Sequence, residues 1–374
     1  MTTDLHVISF DVPYPPDYGG VMDVFHKIKA LSALGVTIYL HCFVYHRKPA
    51  PVLSEICKEV YYYPRKPFAL RLPVTLPYIT SSRQNELLLE RLTQNHAPIL
   101  FEGLHSCYYL NHPDLKDRFK LVRMHNIEAD YYKFLGLREK ISFKKLFFLL
   151  ESVRLRQYEK VLQHATSVAA ISFADKEYLT TGLGNKVWHL PVFHGNMEFT
   201  SQTGNGNFAL YHGNLSVNEN SHTAMYLVCE VFNKLPYPLI IAGKNPPEFV
   251  QKAVARQSNC RLYPNPTDEQ MNELMRQAHI HVLPALQPTG IKLKLLNALC
   301  QGRFCLVNTD MIAGTGLDSL CHVFKNTEEL TRQIEILFGQ SFSIDHIRQR
   351  EELLSELYSD SKNAKTLLNK LENQ

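Results

Sequence analysis

Four short segments of the sequence carry residues that could bind a charged ligand, and each follows a run of β-forming residues. The first, residues 13–20, ends in Gly19-Gly20 where a helix is predicted to begin. Two glycines there let backbone N–H groups approach a ligand without a Cβ in the way, and the helix dipole favours an anion. The glycine pair predicts a contact with an anion or a sugar. A loop that only turns the chain is compatible with the same sequence.

The second segment places a histidine, an amide and a carboxylate together at the end of a predicted strand. Arg123, His125, Asn126 and Glu128 lie within residues 123–128. These side-chain types offer acid/base chemistry and hydrogen bonds to hydroxyl groups. The alternative is structural, with Asn126 capping a helix and His125 bonded to backbone.

The third segment opens the second half of the chain, where Gly213 and Asn214 end a predicted strand before a helix. Gly213 permits close approach of backbone to a ligand. A position between the first strand and the first helix of a β/α domain is a common place for a nucleotide. A simple strand-to-helix turn is the other interpretation.

The fourth segment, residues 284–299, is the most specific. A helix predicted to begin near Gly290 follows Thr289, carries Lys292 in its first turn and has Lys294 and Asn297 on one face. A cation at the positive end of a helix lowers the stability of that helix by about 0.3 kcal/mol or more. That cost indicates an anionic ligand such as a pyrophosphate, whereas the alternative makes both lysines solvated surface residues.

The elements that would position these segments alternate between strand and helix, which is typical of parallel sheets with helical crossovers. Helices are expected at 21–34 and 144–164, then near 218–233, 267–277, 291–301 and 327–338. The predicted strands are 5–10, 36–44, 59–64, 98–103, 121–126, 167–172 and 187–192, then 208–213, 239–243, 260–264, 280–284 and 303–308. We therefore expect an α/β protein with two Rossmann-like, doubly wound parallel-sheet domains.

The domain boundaries follow from composition and length, since 374 residues suggest two domains. A first domain is expected over 1–194, and a linker over 195–206, where Gly and Asn replace core-forming side chains. The second domain is expected over 207–345. Residues 346–374 are expected to form helices that pack back on the first domain, with Ser361 capping the last one.

Composition excludes several classes of protein. The formal net charge of +4 is too small to indicate nucleic-acid binding, and its excess lies in residues 1–190, with 24 Lys and Arg against 18 Asp and Glu. The eight cysteines form no C-x-x-C pair, so neither a zinc site nor a disulfide framework is expected. No segment is typical of a secretory signal or of a membrane span. We expect a cytoplasmic protein.

Taken together, the four segments and the strand pattern resemble the glycosyltransferases of the GT-B fold, in particular glycosyltransferase family 4, over nearly the whole chain. The resemblance implies a metal-independent hexosyl-type transferase without a cofactor. It would move a sugar, with retention, from a nucleotide-sugar donor to a glycan or lipid-linked glycan in bacterial surface polysaccharide synthesis. The fold would place the two domains on either side of a central cleft.

The resemblance also implies roles for residues. Gly19 and Gly20 would lie beside the sugar phosphate and the acceptor, with Gly20 at the reacting centre, and His125 would contact the donor sugar. Arg123, Asn126 and Glu128 would complete that side of the substrate site. Around the nucleotide it places Gly213, Asn214, Thr289, Gly290, Lys292, Lys294 and Asn297, with the two lysines neutralising the diphosphate and Lys294 acting in catalysis.

Two departures from the family pattern keep other functions open. Thr289 and Asn297 stand where family members usually have two glutamates, and the Arg and Lys common after the second domain's first strand are missing. A non-catalytic GT-B-like binding protein, or a nucleotide-sugar epimerase of the same architecture, therefore remains an alternative.

A basic and aromatic segment raises a separate question of location. Residues 137–160 place Lys140, Lys144, Lys145, Arg154 and Arg156 around Phe143, Phe147 and Phe148. Such a helix could lie on the inner face of an anionic membrane as a peripheral contact. A helix packed within its own domain fits the same pattern.

Overall fold

The computed structural model describes residues 3–67, 75–139, 142–195, 198–286 and 292–373. The chain divides into two compact units. Unit 1 contains the described residues up to 195 and those from 358 onward, and unit 2 contains the described residues between 198 and 357. Each unit is built on its own parallel sheet. The predicted α/β class with two parallel sheets is confirmed.

The central strands of the unit 1 sheet, Ile99–Glu102, Lys120–Met124 and Ser167–Ala170, are buried on both faces. The strands are β1 (Asp4–Ser9), β2 (Thr37–Val44), β3 (Glu59–Pro64), β4 (Ile99–Glu102), β5 (Lys120–Met124), β6 (Ser167–Ala170) and β7 (Val187–His189). Their order is β3-β2-β1-β4-β5-β6-β7, with every pair parallel. The strand order reverses at β1, and ligands of such sheets bind beyond the carboxyl ends of the strands at that point.

The sheet of unit 2 has the same kind of topology. Its strands are β8 (Ala209–Asn214), β9 (Leu239–Lys244), β10 (Cys260–Pro264), β11 (Ile280–Leu283), β12 (Phe304–Asn308) and β13 (His322–Phe324). The order is β10-β9-β8-β11-β12-β13, again parallel throughout. The reversal lies at β8, which points to the loops after β8 and β11. Strand β13 was not predicted, because a strand of three residues at the edge of the sheet is too short to show a recognisable apolar sequence pattern.

Helices connect the strands in both units. Those of unit 1 are α1 (Gly19–Ala33), α2 (Leu53–Ile56), α3 (Tyr78–Ser81), α4 (Glu86–Thr93), α5 (Glu128–Arg138), α6 (Phe143–Tyr158) and α7 (Phe173–Leu183). Those of unit 2 are α8 (Asn218–Tyr226), α9 (Glu248–Ala255), α10 (Asp268–Gln277), α11 (Leu293–Gln301), α12 (Thr309–Ile312), α13 (Thr327–Phe338) and α14 (Ile344–Leu357). The helix predicted over 144–164 ends as α6 at Tyr158 and continues as a 3-10 turn, Glu159–His164.

The two C-terminal helices belong to different units, whereas the sequence predicted that both pack on the first domain. Helix α14 stays in unit 2, where the buried Arg350 donates to the carbonyl oxygens of Gly302 at 2.8 Å and Leu299 at 3.3 Å. The last helix, α15 (Asp360–Glu372), belongs to unit 1. Its Leu367 and Leu371 join the same core as Ile28 of α1.

The cap of α15 differs from the predicted one. Ser359, rather than Ser361, precedes the helix and accepts a hydrogen bond from the Lys362 N–H at 3.4 Å. The Asp360 carboxylate accepts from the backbone N–H groups of His194 at 3.2 Å and Gly195 at 2.9 Å. This carboxylate joins the start of α15 to the segment after β7, and the helix begins two residues earlier than its sequence pattern indicates.

Candidate functional site

In unit 1, the first candidate region lies where β1, β4 and β5 end. Phe10 follows β1, and its Cζ lies 2.7 Å from where a Cβ on Gly20 would be. Gly103 follows β4 with φ +69, and a Cβ there would lie 3.0 Å from His105 Nδ1. Side chains at these two glycines would displace the rings packed between the strand ends. Gly20 is thus required for packing against Phe10, and Gly19 begins α1 beside it.

A buried charge cluster, consisting of Asp23, Lys27, Glu102, Arg123 and His125, lies beneath this region. All five residues are at most 4% exposed. Lys27 Nζ lies 2.7 Å from Asp23 Oδ2 and 2.9 Å from Glu102 Oε1. Arg123 Nη2 lies 3.0 Å from Asp23 Oδ1. His125 Nε2 lies 2.9 Å from Glu102 Oε2. Two carboxylates, a lysine and an arginine therefore pair with one another in the interior of unit 1.

The electrostatics of the cluster fix its ionisation. Burial alone would raise the pKa of Asp23, but the charges of Arg123 and Lys27 outweigh it and hold that pKa well below its usual range. His125 donates through Nε2 to a carboxylate, while its Nδ1 has no hydrogen-bond partner and lies 3.8 Å from Asp23 Oδ2. Both ring nitrogens thus face buried carboxylates. This geometry gives His125 a fixed orientation.

Three members of the cluster could also supply metal ligands. Asp23, Glu102 and His125 offer ligand atoms that all lie within 4.8 Å of one another. The Lys27 ammonium, however, already contacts both carboxylates, at the position a cation would take. A metal ion would have to displace that ammonium group and share two carboxylates with Arg123. The donor set fits an internal salt-bridge network better than a metal centre.

Arg123 was predicted to bind substrate, but the structure places its side chain in the interior of unit 1. The residue is 0% exposed, and its guanidinium donates to Asp23, to the Pro191 carbonyl at 3.0 Å and to the Leu190 carbonyl. A guanidinium whose donors are engaged in the interior has none left for a ligand. Arg123 instead joins β5 to α1 and to the segment after β7.

Glu128 is the carboxyl group of this region with a pKa near neutrality. Burial raises its pKa to about 7, although a hydrogen bond from Asn126 acts in the opposite direction. Asn126 Nδ2 lies 3.5 Å from Glu128 Oε1, and His105 Nδ1 lies 3.8 Å from the same oxygen. Burial also holds the pKa of His105 well below its usual value. Glu128 can therefore exchange a proton close to neutral pH, as acid/base groups in active sites do.

In unit 2, the second candidate region is centred on Lys294 in the first turn of α11. Lys294 Nζ donates to Asn220 Oδ1 at 2.9 Å and lies 5.3 Å from the centre of the Tyr211 ring. Burial lowers the pKa of Lys294 to about 8, while the charge of Glu219 raises it. Glu219 also accepts a hydrogen bond from the Leu286 N–H at 3.1 Å, which fixes the loop after β11. The ammonium group thus has an amide and a ring as its close partners.

Two glycines shape the backbone beside Lys294. A Cβ on Gly243 would lie 1.9 Å from the Gly213 carbonyl oxygen, so the ends of β8 and β9 can approach only without a side chain there. A Cβ on Gly213 would lie 3.2 Å from the Asn220 side chain. Asn214 is exposed, and its Oδ1 accepts from the Ser216 hydroxyl at 2.8 Å. Gly213 and Asn214 therefore line the same strand end as Asn220 and Lys294.

The remaining predicted residues of the fourth segment are only partly described. Helix α11 begins at Leu293 with Lys292 as its N-cap, so the helix starts later than the sequence indicated. Lys292 and Asn297 are both partly buried, with Asn297 three positions after Lys294. Thr289 and Gly290 lie outside the described residues. The structure thus brings Gly213, Asn214 and Lys294 to one strand edge.

Sequence reasoning missed five residues that organise the two regions: Asp23, Lys27, Glu102, Glu219 and Asn220. One signal was available for Glu102, a charged residue that ends the apolar run of β4. Asp23 and Lys27 are four apart on α1, a spacing that normally indicates a solvated pair on a helix surface. Their burial depends on Arg123, which is 100 positions away from Asp23 in the chain.

Comparisons with known proteins agree on the fold. The protein Alr3699/HepE of Anabaena, solved in complex with UDP, aligns over 100% of both chains with 11% identity and a TM-score of 0.68. WaaG, a glycosyltransferase involved in lipopolysaccharide biosynthesis, aligns over 99% of this chain and 100% of its own, with 11% identity and a TM-score of 0.64. The chain has the GT-B fold. At these identities, the likeness establishes the architecture alone.

One relative found by sequence shares a higher identity with this chain than the two solved structures do. It is an uncharacterized 44.6 kDa protein in the cps region of Klebsiella pneumoniae, 28% identical over 333 residues, which are 83% of this chain and 84% of that protein. No protein-family model matches the chain. Among the described residues, no helix is both long and apolar enough to cross a bilayer.

Proposed function

We propose that this GT-B protein is a glycosyltransferase that moves a sugar from a nucleotide-sugar donor to a glycan or lipid-linked glycan. The observation that carries the proposal is Lys294, a half-buried cation at the carboxyl end of the unit 2 sheet. A departing nucleoside diphosphate requires a cation that stabilises its growing negative charge. In this GT-B fold, Lys294 would supply a desolvated cation at the strand edge. Fold alone would not fix the chemistry.

The donor we propose is a uridine diphosphate sugar carrying a hexose. The Anabaena neighbour binds UDP, and its fold matches this chain from end to end. Gly213 and Asn214 would border the nucleotide, and Asn297 would hydrogen-bond its ribose. Lys292 would assist Lys294 at the diphosphate, together with Thr289 and Gly290.

The acceptor we propose belongs to a bacterial surface polysaccharide. The relative from Klebsiella pneumoniae lies in a cps region, and WaaG acts in lipopolysaccharide biosynthesis. Because the proposed acceptors include lipid-linked glycans, we propose a cytoplasmic enzyme with a peripheral contact at the inner face of the membrane. Gly19, Gly20 and Asn126 would line the acceptor side.

In the proposed reaction, the acceptor hydroxyl oxygen bonds to the anomeric carbon of the sugar, the bond from that carbon to the diphosphate oxygen breaks, and the hydroxyl proton passes to the departing diphosphate. Negative charge grows on the departing oxygen as its bond breaks. The Lys294 ammonium stabilises this charge, and the low local polarity strengthens the interaction. A side-chain cation in this role makes a metal ion unnecessary, and we propose retention, as in family 4. His125, held by Glu102, would orient the donor sugar, and Glu128 is the group able to exchange a proton.

Thermal unfolding in the presence of nucleoside diphosphates tests the binding half of this proposal. UDP at a hundredfold excess over its Kd should stabilise the protein by about 2.7 kcal/mol, and Lys294→Met should abolish most of that gain. Lys252→Met is the matched control, because Lys252 is an exposed lysine of α9 that pairs with Glu248 at the surface. Equal stabilisation of the wild type and Lys294→Met would contradict the assignment.

Donor turnover separates the transferase from its alternatives. A glycosyltransferase should release UDP from one UDP-sugar slowly without acceptor and faster with it, and chelation of divalent metal should leave the rate unchanged. NMR of the product should show the anomeric configuration of the donor. UDP binding without turnover would favour a non-catalytic binding protein, which the replacement of two expected glutamates by Thr289 and Asn297 would explain. Conversion of the donor's sugar without any acceptor would indicate an epimerase.

A further inference from the structure

Arg65 lies directly after β3, at the carboxyl edge of the unit 1 sheet. Its backbone N–H donates to the Val44 carbonyl at 3.1 Å, which continues the pairing of β3 with β2. Tyr45 follows Val44, so Tyr45 and Arg65 leave the ends of adjacent strands side by side. Ligands of parallel sheets bind beyond the carboxyl ends of the strands. Arg65 is therefore placed where a substrate of unit 1 can reach it.

The guanidinium group of Arg65 is held between two tyrosine rings. Its central carbon lies 4.9 Å from the ring centre of Tyr45 and 4.9 Å from the ring centre of Tyr78. Its Nε donates to the Oγ of the buried Ser82 at 2.8 Å. Tyr78 is held in turn, because its hydroxyl donates to the Lys66 carbonyl at 3.3 Å. Stacking on both rings and one hydrogen bond thus fix the orientation of the guanidinium plane.

The two terminal nitrogens of this guanidinium group, Nη1 and Nη2, have no acceptor among the described residues. They carry the remaining N–H groups of Arg65 in a planar fork, a geometry that matches two oxygens of a carboxylate or a phosphate. Arg65 is partly exposed and the neighbouring Tyr45 is 56% exposed, so a ligand can approach from solvent. Because the side chain is already immobilised, an oxyanion would bind it at a reduced cost in conformational entropy.

A second guanidinium group, that of the buried Arg83, adds positive charge to the same region. Its Nε and Nη2 both donate to the Phe10 carbonyl, at 3.0 and 2.8 Å, rather than to a carboxylate. Burial lowers the pKa of Arg83, and the charge of Arg65 acts in the same direction. Asp11 and Glu128 oppose these cations only in part, because burial raises the pKa of both carboxyl groups. An anion bound at Arg65 would offset the repulsion between the two guanidinium groups.

The charge of Arg65 also reaches the side chains of the unit 1 site. Burial holds the pKa of His105 well below its usual value, and the charges of Arg83, His125 and Arg65 act in the same direction. His105 Nδ1 lies 3.8 Å from Glu128 Oε1 and has no hydrogen-bond partner among the described residues. The Arg65 fork and the carboxyl group that exchanges a proton near neutral pH therefore belong to one region of unit 1.

We propose that Arg65 binds an oxyanion of the acceptor, so that this protein takes an acidic glycan in preference to a neutral one. The inference rests on the proposed function, because it names the chemical class of the acceptor. The oxyanion is a carboxylate of a sugar or a phosphate of the acceptor, since both present oxygens in the geometry of the guanidinium fork. A neutral hydroxyl group would leave the charge of Arg65 uncompensated.

Saturation-transfer NMR with small acidic sugars tests this inference on the full chain without a donor. The ligands are glucuronate and glucose 6-phosphate, with glucose as the neutral comparison. At least one acidic sugar should bind about tenfold more tightly than glucose, and Arg65→Met should remove that difference. Arg65→Lys should keep only part of it, because lysine retains the charge but not the planar fork. The acidic sugar that depends more strongly on Arg65 identifies the oxyanion as a carboxylate or a phosphate.

The matched control is Arg348→Met, which removes the same charge from an exposed arginine of α14 that pairs with Asp345 at 3.6 Å. This variant should bind the acidic sugars like the wild type. Thermal unfolding without ligand verifies that each variant is folded, and if Arg65→Met is not, the reduced preference of Arg65→Lys decides the test.

Equal binding of all three sugars by the wild type would overturn the proposal, and so would an acidic preference that persists unchanged in the Arg65 variants. The experiment contains no nucleotide, so its outcome does not depend on the assignment of Lys294. A wild type that binds UDP but shows no acidic preference would refute this inference alone. A wild type that shows the preference but does not bind UDP would instead refute the proposed donor site.

Discussion

The two units of this protein use cations at their strand ends in opposite ways. In unit 1, Lys27 and Arg123 are each paired with a carboxylate at 3.0 Å or less, and none of these groups is exposed. In unit 2, Lys294 has the Asn220 amide oxygen as its hydrogen-bond partner, with its pKa lowered by burial to about 8. The buried charge cluster of unit 1 has completed its charge balance internally. Unit 2 holds a cation that an anionic ligand would stabilise further.

This difference separates a structural use of charge from a ligand-binding use. Buried ion pairs contribute little net stability when complete, but removing one partner leaves an unpaired charge in the interior. The Lys294 ammonium has the neutral Asn220 amide as its hydrogen-bond partner, and burial lowers its pKa to about 8 although the charge of Glu219 acts in the opposite direction. Substitutions of Lys27 and Arg123 should therefore act on folding, and substitutions around Lys294 should act on ligand binding.

The largest effect is expected from Arg123→Met. The substitution leaves the Asp23 carboxylate buried without its principal partner and should lower the free energy of unfolding by about 3–5 kcal/mol. Urea denaturation measures it. Lys144→Met provides the contrast, because Lys144 pairs with Glu139 at the surface and should contribute about 0–1 kcal/mol. Comparable decreases in the free energy of unfolding in both variants would mean that removing a partner from the buried charge cluster destabilises the protein no more than removing one from a surface pair.

The next effect concerns Glu128 and depends on pH. Its pKa is raised by burial from 4.5 to about 7, so the folded protein binds more protons than the unfolded chain between these values. The stabilising contribution is complete below about pH 4.5 and is lost as pH rises through about 7, a change of about 3 kcal/mol. Glu128→Gln should remove this slope in unfolding free energies measured across the range. A difference between the variant and the wild type that does not vary with pH would refute the raised pKa.

A smaller effect is expected when unit 2 is made to resemble unit 1. Asn220→Asp places a carboxylate at the Lys294 ammonium and so supplies internally the charge that we assign to the ligand. Affinity for UDP should fall by about tenfold, or about 1.4 kcal/mol, while stability changes little. Calorimetric titration with UDP, alongside an exposed control on α10 such as Asn272→Asp, measures the change. Unchanged affinity in Asn220→Asp would show that Lys294 does not contact the diphosphate.

Much of the architecture follows from local sequence pattern. All twelve predicted strands correspond to β1–β12, because apolar runs bounded by turns can be recognised over four to eight residues. The short edge strand β13 was missed. The placement of α14 was also missed, because it depends on Arg350 reaching carbonyl groups near residue 300, a contact with no local signature.

The site was less predictable than the fold. Lys294 was predicted to bind the diphosphate because two lysines near the start of a helix are locally unfavourable, and this role stays a prediction. Arg123 looked equally suited to a ligand, and only its distant partner Asp23 shows that it is structural. Burial of charge is decided by which elements meet in three dimensions, so type and spacing along the chain could not separate the two residues.

The most direct test of the central claim is the number of protons taken up when UDP binds at pH 8, near the pKa of about 8 of Lys294. Calorimetry in buffers of different ionisation enthalpy measures it. Binding should protonate the lysine and take up about half a proton in the wild type. Lys294→Arg should bind UDP without that uptake, since arginine is always charged. Equal uptake in both proteins, or no binding of UDP to the wild type, would contradict the role assigned to Lys294.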